Sequence, residues 1–204
     1  MEVKVMSATE KPIETCSLAA GGCYGKDNVS RKRLESCVKS GHTSTIEFAH
    51  IVFSIKGVSR SLLAQLTRHR LMSFAVESQR YCKYDLSGRH DWYVTPDAIL
   101  AANEKVQNDF RLAMSAAAIR YQTLLDDGMR PEDARYVLPE ATKTNLTCGM
   151  NGREFLHFLQ LRTSKRASKE IQDLAKAMVN AARGVNEEWD SFMDILMDNM
   201  TTID

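Results

Sequence analysis

The stretch from Arg68 to Tyr81, RHRLMSFAVESQRY, concentrates side chains that could hold an anion. Its fourteen residues include three arginines, one histidine and two serines, and they directly follow an apolar helical pattern. A guanidinium presents a planar fork of N–H donors and does not lose its charge, so it suits phosphate, carboxylate or a developing oxyanion. Arginines at this density, interleaved with hydroxyls, favour a nucleotide site over a solvated surface.

Polar residues elsewhere also occur where packing alone does not require them. His42 precedes a predicted strand and Glu47 lies within it, while Arg153 and His157, four apart, share one face of a helix. Asn151 at the start of that helix adds backbone donors and a favourable dipole for an anion. We predict that these residues form a pocket for a phosphate-bearing ligand together with Gln65, Arg68, Arg70, Ser78, Arg80, Arg135 and Arg162.

Plainer interpretations stay open at this point. Any one of these arginines also fits a salt-bridged surface position, and Asn151 also fits a simple helix cap. No G-x-G-x-x-G or P-loop motif is present, so the residues by themselves do not identify a cofactor.

The predicted elements must bring these residues together. The alternation from Ile46 to about Lys56 predicts a strand that ends at Gly57. Ser59 is a predicted N-cap for a helix with a leucine stripe, and the arginine-rich stretch then continues as an irregular or extended segment.

Helices dominate the rest of the predicted fold. Thr95–Asp97 is predicted to cap one long helix that runs to Gly128, Pro131 begins a short helical turn containing Arg135, and Ala141–Thr147 is a predicted strand. A short strand at 3–6, a loop at 21–25 and helices over 28–39, 151–161, 171–179 and 189–196 complete the pattern. The fold class is α+β: a small mixed or antiparallel sheet with several helices and one long central helix, in a single domain spanning 1–204.

The composition is ordinary for a globular protein. The 204 residues are 44% apolar and 26% charged, with a net charge of +1. This balance argues against a general polyanion binder, whose surface is usually strongly basic. No apolar run reaches the length of about eighteen residues that a membrane span needs, and the first residues lack the apolar core of a secretory signal. We therefore expect a cytoplasmic protein with no membrane or nucleic-acid partner.

Five segments occur in an order that resembles one enzyme family. Arg68-His69-Arg70 with Ser78 and Arg80 resembles the signature of flavin-dependent thymidylate synthases, and the other segments are similar to that family's motifs in the same order. They are GHTSTIE at 41–47, GVSR at 57–60 with the following glutamine, RYVLP at 135–139 and NGREFLHFLQLR at 151–162.

The resemblance implies a fold, a reaction and a set of contacts. The reaction is the reductive methylation of dUMP to dTMP by a homotetramer with FAD where subunits meet, using methylenetetrahydrofolate as carbon donor and NADPH as reductant. The implied flavin-binding residues are His42, Ser44, Glu47, Arg68, His69, Arg70, Asn151, Arg153 and His157. The implied dUMP-binding residues are Gln65, Arg68, Ser78, Gln79, Arg80, Arg135 and Arg162, and Arg162 is the implied catalytic residue, polarising the uracil ring at N3. No metal site is expected.

One segment departs from the family's pattern. Ala75-Val76-Glu77 stands where the family commonly has a polar triplet, so that Val76 occupies a position where a ligand-facing acid or amide is frequent. Glu77 would replace that group only by a shifted register. Two alternatives therefore stay open: a related flavoenzyme that methylates or hydroxymethylates another deoxypyrimidine monophosphate, and a non-catalytic nucleotide-binding module.

The cysteines are not expected to take part in the chemistry. The chain has five, scattered and without a C-x-x-C pair, which suits neither a disulfide framework nor a zinc site. The family is understood to work without a cysteine that attacks C6 of the pyrimidine. We therefore expect Cys82→Ala, beside the arginine-rich stretch, to keep dTMP formation within a few-fold of wild type. Abolished turnover with intact dUMP binding would contradict this expectation.

Overall fold

The computed structural model describes residues 1–82, 84, 86 and 91–200, in which a four-stranded antiparallel sheet is packed against helices. The strands are β1 (Glu2–Ala8), β2 (His50–Ser59), β3 (Ser73–Val76) and β4 (Lys143–Asn151), in the spatial order β1-β2-β4-β3. All three pairings are antiparallel. The predicted α+β class is confirmed.

The helices contribute to the cores that are described below. They are α1 (Pro12–Gly22), α2 (Arg31–Lys39), α3 (Arg60–Leu66), α4 (Asp97–Leu100), α5 (Glu104–Asp126), α6 (Pro131–Ala134), α7 (Gly152–Arg162), α8 (Lys169–Arg183) and α9 (Glu187–Asp198), with 3-10 turns at Thr43–Ile46 and Arg135–Val137. None of the helices in the described part of the chain has the length and apolar character that crossing a membrane requires.

The main core lies between the sheet and helices α7, α8 and α9. Alternate residues of β2 are fully buried there, and the ring of Phe53 meets that of Phe155 on α7 edge to face at 5.7 Å. A second apolar cluster forms around α5, where Tyr121 packs with Trp92 and Met114. The expectation of a single domain stays a prediction.

Two predicted features near the start of β2 differ from the structure. The strand predicted from Ile46, with Glu47 inside it, begins only at His50. Residues 43–46 form a 3-10 turn that ends at Glu47, because the Thr45 hydroxyl donates to the His42 carbonyl at 3.0 Å. Gly57 does not end the strand: it takes a positive φ of 71°, and β2 continues to Ser59 across a shift in register between Ile55 and Val58.

Helix boundaries set by local capping side chains were predicted better than the rest. Ser59 Oγ accepts from the Leu62 N–H at 2.9 Å, and Asn151 Oδ1 accepts from the Glu154 N–H at 2.9 Å, so both predicted caps are present. The single long helix from 95 to 128 is wrong, because Asn103 caps a new helix, α5, with its side chain accepting from Val106 N–H. Helix α1 was not predicted, and its end occupies part of the expected loop at 21–25.

Gly152 lets the start of α7 approach the 3-10 turn more closely than any side chain would allow. A Cβ placed there would lie 2.6 Å from the carbonyl oxygen of Ile46 and 2.9 Å from the ring of Phe192. Residue 152 must therefore be glycine if α7 is to keep its position.

We expect Gly152→Ala to lower the free energy of unfolding by about 1–3 kcal/mol, the usual cost of overpacking a tight site. Urea unfolding of the purified chain measures this. Gly22→Ala is the matched control, since a Cβ at Gly22 meets nothing within 4 Å. Equal stability of the two variants would show that the approach at Gly152 is not constrained.

Candidate functional site

His69 is the centre of a buried hydrogen-bonded chain. It lies just beyond α3, is 3% exposed, and its Nδ1 is 2.8 Å from Oε1 of Glu154. The Nε–H of Arg162 donates to Nε2 of the same ring at 3.0 Å. Because a guanidinium can only donate, Nε2 must be the acceptor and the proton of the neutral ring lies on Nδ1, where it is donated to Glu154.

Arg162 closes the chain from the last turn of α7. Its Nη2 donates to the backbone carbonyl of Gln65 on α3 at 3.1 Å, so two acceptors hold one edge of the guanidinium. Burial, and then the positive charge of Arg68, lower the pKa of Arg162 below its usual value. Arg68 is therefore close enough to repel Arg162, and an anion placed between them would relieve that repulsion.

The environment of His69 favours its neutral form. Burial lowers the pKa of His69, the hydrogen bond to Glu154 opposes that shift, and the charge of Arg162 adds to it. The ring also lies edge to face with the rings of Phe158, at 5.2 Å, and His157, at 5.7 Å. These contacts fix the plane of the imidazole beside the guanidinium.

The start of α7 brings a second set of predicted residues together. Gly152 packs on the 3-10 turn, and Arg153 Nη1 then bonds to Oε1 of Glu47, at the end of that turn, at 2.6 Å. His42 and Ser44 lie on the same turn with exposed side chains. The side chains of Arg153 and Glu47 are 53% and 40% exposed, so this pair faces solvent and is weak by itself.

Two further predicted cations, Arg80 and Arg135, lie around Glu132. Its carboxylate binds Arg80 Nε at 2.5 Å and Arg130 Nη2 at 2.6 Å, and its backbone carbonyl accepts from Arg135 Nε at 3.1 Å. Ser78 Oγ accepts from the backbone N–H of Arg80 at 3.1 Å. We call this set, residues 78, 80, 130, 132 and 135, the Glu132 cluster.

Apart from the residues around Arg153 and Glu47, the structure divides the predicted site into two parts. Gln65, His69 and Arg162 share hydrogen bonds, with Arg68 and His157 next to them, and the Glu132 cluster holds Arg80 and Arg135. In the described residues of one chain, no hydrogen bond or ion pair joins these two parts. Arg70 is exposed and Gln79 is partly buried.

Two carboxylates of the site were not predicted. Glu154 is 3% exposed, and the carboxylate of Glu132 forms ion pairs with two arginines. The sequence does contain a signal for Glu154. This residue lies four positions before Phe158, at the edge of the apolar stripe of α7, where burying an unpaired carboxylate would cost stability. The sequence contains no comparable signal for Glu132.

The residues that depart from the family's pattern have structural partners. Val76 is opposite Leu146 in the β3–β4 pairing and packs against the main core. The carboxylate of Glu77 accepts from Asn145 Nδ2 at 2.6 Å, and Asn145 Oδ1 accepts from Gly57 N–H at 3.0 Å. Glu77 therefore ties β3 to β4 and to the bulge of β2.

The fold is α+β, and it places Arg68 close to Arg162 at the end of α7, an arrangement that suits an anionic ligand. Comparison with known proteins identifies the family. Residues 4–186 match the family described as "Thymidylate synthase complementing protein". The chain is 37% identical over 198 residues to the flavin-dependent thymidylate synthase of Geobacter sulfurreducens, covering 91% of this chain and 83% of that protein.

Further relatives agree with this match. The flavin-dependent thymidylate synthase of Pyrococcus furiosus is 33% identical over 190 residues, covering 88% of this chain and 78% of that protein. A crystal structure of the Helicobacter pylori enzyme, complexed with FAD and dUMP, superposes with a TM-score of 0.76 at 30% identity, covering 98% of this chain and 100% of that one. The chain belongs to the flavin-dependent thymidylate synthase family, and the resemblance seen in the sequence is confirmed.

Acidic pH is expected to weaken the fold through His69. Because the pKa of His69 is lowered in the folded chain, the unfolded chain binds this proton more readily. The stability from neutral His69 is complete above the ordinary value of 6.5 and is lost as the pH falls through the lower folded value. The free energy of unfolding should therefore fall more steeply below pH 6.5 in wild type than in His69→Gln.

Urea unfolding of both proteins at several pH values on either side of 6.5 measures the two slopes. The variant lacks the titrating ring, so the other acidic groups cancel in the comparison. Parallel slopes would mean that His69 titrates alike in the folded and unfolded chains.

Proposed function

We propose that this chain catalyses the reductive methylation of dUMP to dTMP, with FAD as cofactor, methylenetetrahydrofolate as carbon donor and NADPH as reductant. The observation that carries the proposal is the hydrogen bonding of the Arg162 guanidinium. Neutral His69 and the Gln65 carbonyl hold one edge of its guanidinium, while Nη1 has no partner among the described residues. A charged donor fixed in this way is suited to an oxyanion that develops on a bound ring.

The residues around α7 fit FAD, a dianionic diphosphate with a planar ring system. The side chains of Arg68 and Arg70 are exposed and have no hydrogen bond or ion pair among the described residues, and Arg68 repels Arg162. An anionic cofactor would neutralise this excess of positive charge. The residues that would hold it are His42, Ser44, Glu47, Arg68, His69, Arg70, Asn151, Arg153 and His157. When bound, the reduced flavin supplies the electrons that the methylation needs.

The Glu132 cluster fits the phosphate of dUMP. Arg80 and Arg135 would bind the phosphate with Ser78 and Gln79, while Gln65, Arg68 and Arg162 would contact the nucleoside. Guanidiniums bind phosphate oxygens through paired N–H donors, which a lysine cannot reproduce. The nucleotide phosphate would compete with Glu132 for Arg80, whose side chain is 56% exposed.

We propose that the two parts of the site meet across subunits of a homotetramer. Among the described residues of one chain, no hydrogen bond or ion pair joins them, and a neighbouring subunit would bring them into one cleft. Large exposed apolar side chains support such an assembly: Tyr136, beside Arg135, is 82% exposed, and Leu112 and Ile119 on α5 are 67% and 64% exposed.

In this proposal Arg162 acts by charge and not by proton transfer. Its guanidinium would stabilise negative charge at the N3 side of the uracil as C5 and C6 react. No thiol nucleophile is required. Burial raises the pKa of Cys16 and of Cys148 to about 12, so these two thiols stay protonated and unreactive.

The purified protein tests the proposal directly. Incubation with FAD, methylenetetrahydrofolate and NADPH, with either dUMP or dCMP, is followed by mass spectrometry of the nucleotide. The proposal requires dTMP from dUMP. A hydroxymethylated product, or reaction of dCMP alone, would assign the related flavoenzyme, and a colourless protein that binds oligonucleotides in a steeply salt-dependent way would assign the binding module. A cytoplasmic location stays a prediction.

We expect Arg162→Ala to lower kcat by roughly a hundredfold to a thousandfold, the usual loss when one oxyanion-stabilising donor is removed. The free energy of unfolding should fall by only about 1–2 kcal/mol, because two half-buried hydrogen bonds are lost. Steady-state dTMP formation and urea unfolding measure the two effects. Arg166→Ala, at an exposed position beyond α7, is the control and should leave both unchanged. Wild-type kcat in Arg162→Ala would remove Arg162 from the active site.

A further inference from the structure

Glu154 is a buried carboxylate that the proposed reaction does not use. It is 3% exposed, in the first turn of α7, and the side chain of His69 is its partner among the described residues. Removing a carboxylate from water is costly unless it is paired and hydrogen-bonded. The positive end of the α7 dipole offsets part of that cost, since Glu154 lies three residues after the Asn151 cap.

Its position matters because Arg162 cannot accept a hydrogen bond. The Nε–H of Arg162 points at Nε2 of His69 over 3.0 Å, which is a bond only while Nε2 has no proton. In the other neutral tautomer two donors would face each other at this distance. A carboxylate at Nδ1 accepts a hydrogen bond from the Nδ1–H and has no proton to donate in return, so it selects the tautomer that Arg162 needs.

The ring itself has little freedom to avoid this requirement. The rings of Phe158 and His157 on α7 contact the imidazole edge to face. On the side of α3, the carbonyl of Gln65 accepts a hydrogen bond from Arg162. The plane of the imidazole is therefore set by packing, and the position of its proton is set by what lies at Nδ1.

We propose that Glu154 is a positioning residue for Arg162: its carboxylate keeps the proton of His69 on Nδ1, so that Nε2 stays an acceptor and holds the guanidinium in place. Glu154 acts only through His69. The catalytic consequence rests on the proposed function, whereas the tautomer and the orientation of Arg162 do not.

Three variants separate positioning from simple loss of a carboxylate. In Glu154→Met the side chain keeps a similar length but cannot accept a hydrogen bond from His69. Glu154→Gln restores an acceptor oxygen without the negative charge. Glu188→Met is the matched control. Glu188 is a partly buried carboxylate on α9 that accepts from the backbone N–H of Ile13, at 3.0 Å, and of Glu14, at 3.4 Å.

We expect Glu154→Met to lower kcat by about a hundredfold, the scale of loss when a reacting group is misplaced by about 1 Å. The Kd of dUMP should change much less, because the phosphate contacts are intact. Glu154→Gln should recover most of kcat, and Glu188→Met should keep it even where its stability falls. A Glu154→Met enzyme with the kcat of Glu188→Met would overturn the proposal.

A spectroscopic measurement on the wild-type protein does not depend on turnover or on the folding of a variant. Nitrogen-15 correlation spectra of histidine-labelled holoenzyme report which ring nitrogen of His69 carries the proton. The Nδ1–H tautomer supports the proposal, and an Nε2–H or doubly protonated ring at neutral pH overturns it. If wild type shows the Nδ1–H tautomer but makes no dTMP, the proposed function fails while the tautomer assigned to His69 stands.

Discussion

The hydrogen bond between Arg162 and His69 joins residues that are 93 positions apart in the chain. Two strands and two helices position these side chains. Strands β2 and β4 pair side by side in opposite directions, so that Ser59 is opposite Lys143 and His50 is opposite Asn151. Helix α3 therefore leaves one end of the sheet and helix α7 leaves the other. The end of α7 then meets the turn after α3, where the two side chains bond.

Each of these helices is fixed at its start by a side chain that also forms longer contacts. Ser59 caps α3, and Glu170 on α8 accepts from both its N–H, at 2.8 Å, and its hydroxyl, at 2.5 Å. Asn151 caps α7, whose next residue packs directly on the 3-10 turn. The positions of the site residues thus depend on the sheet ends more than on the sequence neighbours of each arginine.

What the sequence predicted well was local. Capping residues, apolar stripes and motif spacing act within a few positions, so α3 and α7 to α9 were predicted correctly. The 3-10 turn at residues 43–46 was missed, although the hydrogen bond that closes it is local. The bulge at Gly57 was also missed, because the pairing of β2 with β4 imposes the register there. Glu154 was missed for the same reason: the nitrogen that makes it useful lies 85 positions away.

The sequence predicted which residues form the candidate site, but not how these residues are arranged in space. Both ring nitrogens of His69 are used within the chain, by Glu154 and Arg162, which the motif alone does not reveal. The predicted flavin contact of His69 stays a prediction. Arg80 lies on the segment after β3 and Arg135 lies on the 3-10 turn after α6. Sequence spacing could not place either segment relative to α7, so their separation from Arg162 in one chain was not predicted.

The carboxylate at the centre of the Glu132 cluster has a consequence for how an anion is admitted. Arg80 and Arg130 already share the single negative charge of Glu132, so an anion that binds there would exchange with this carboxylate rather than fill a bare positive surface. A ligand with greater charge density, or with additional contacts elsewhere, would compete best with the carboxylate that is already present.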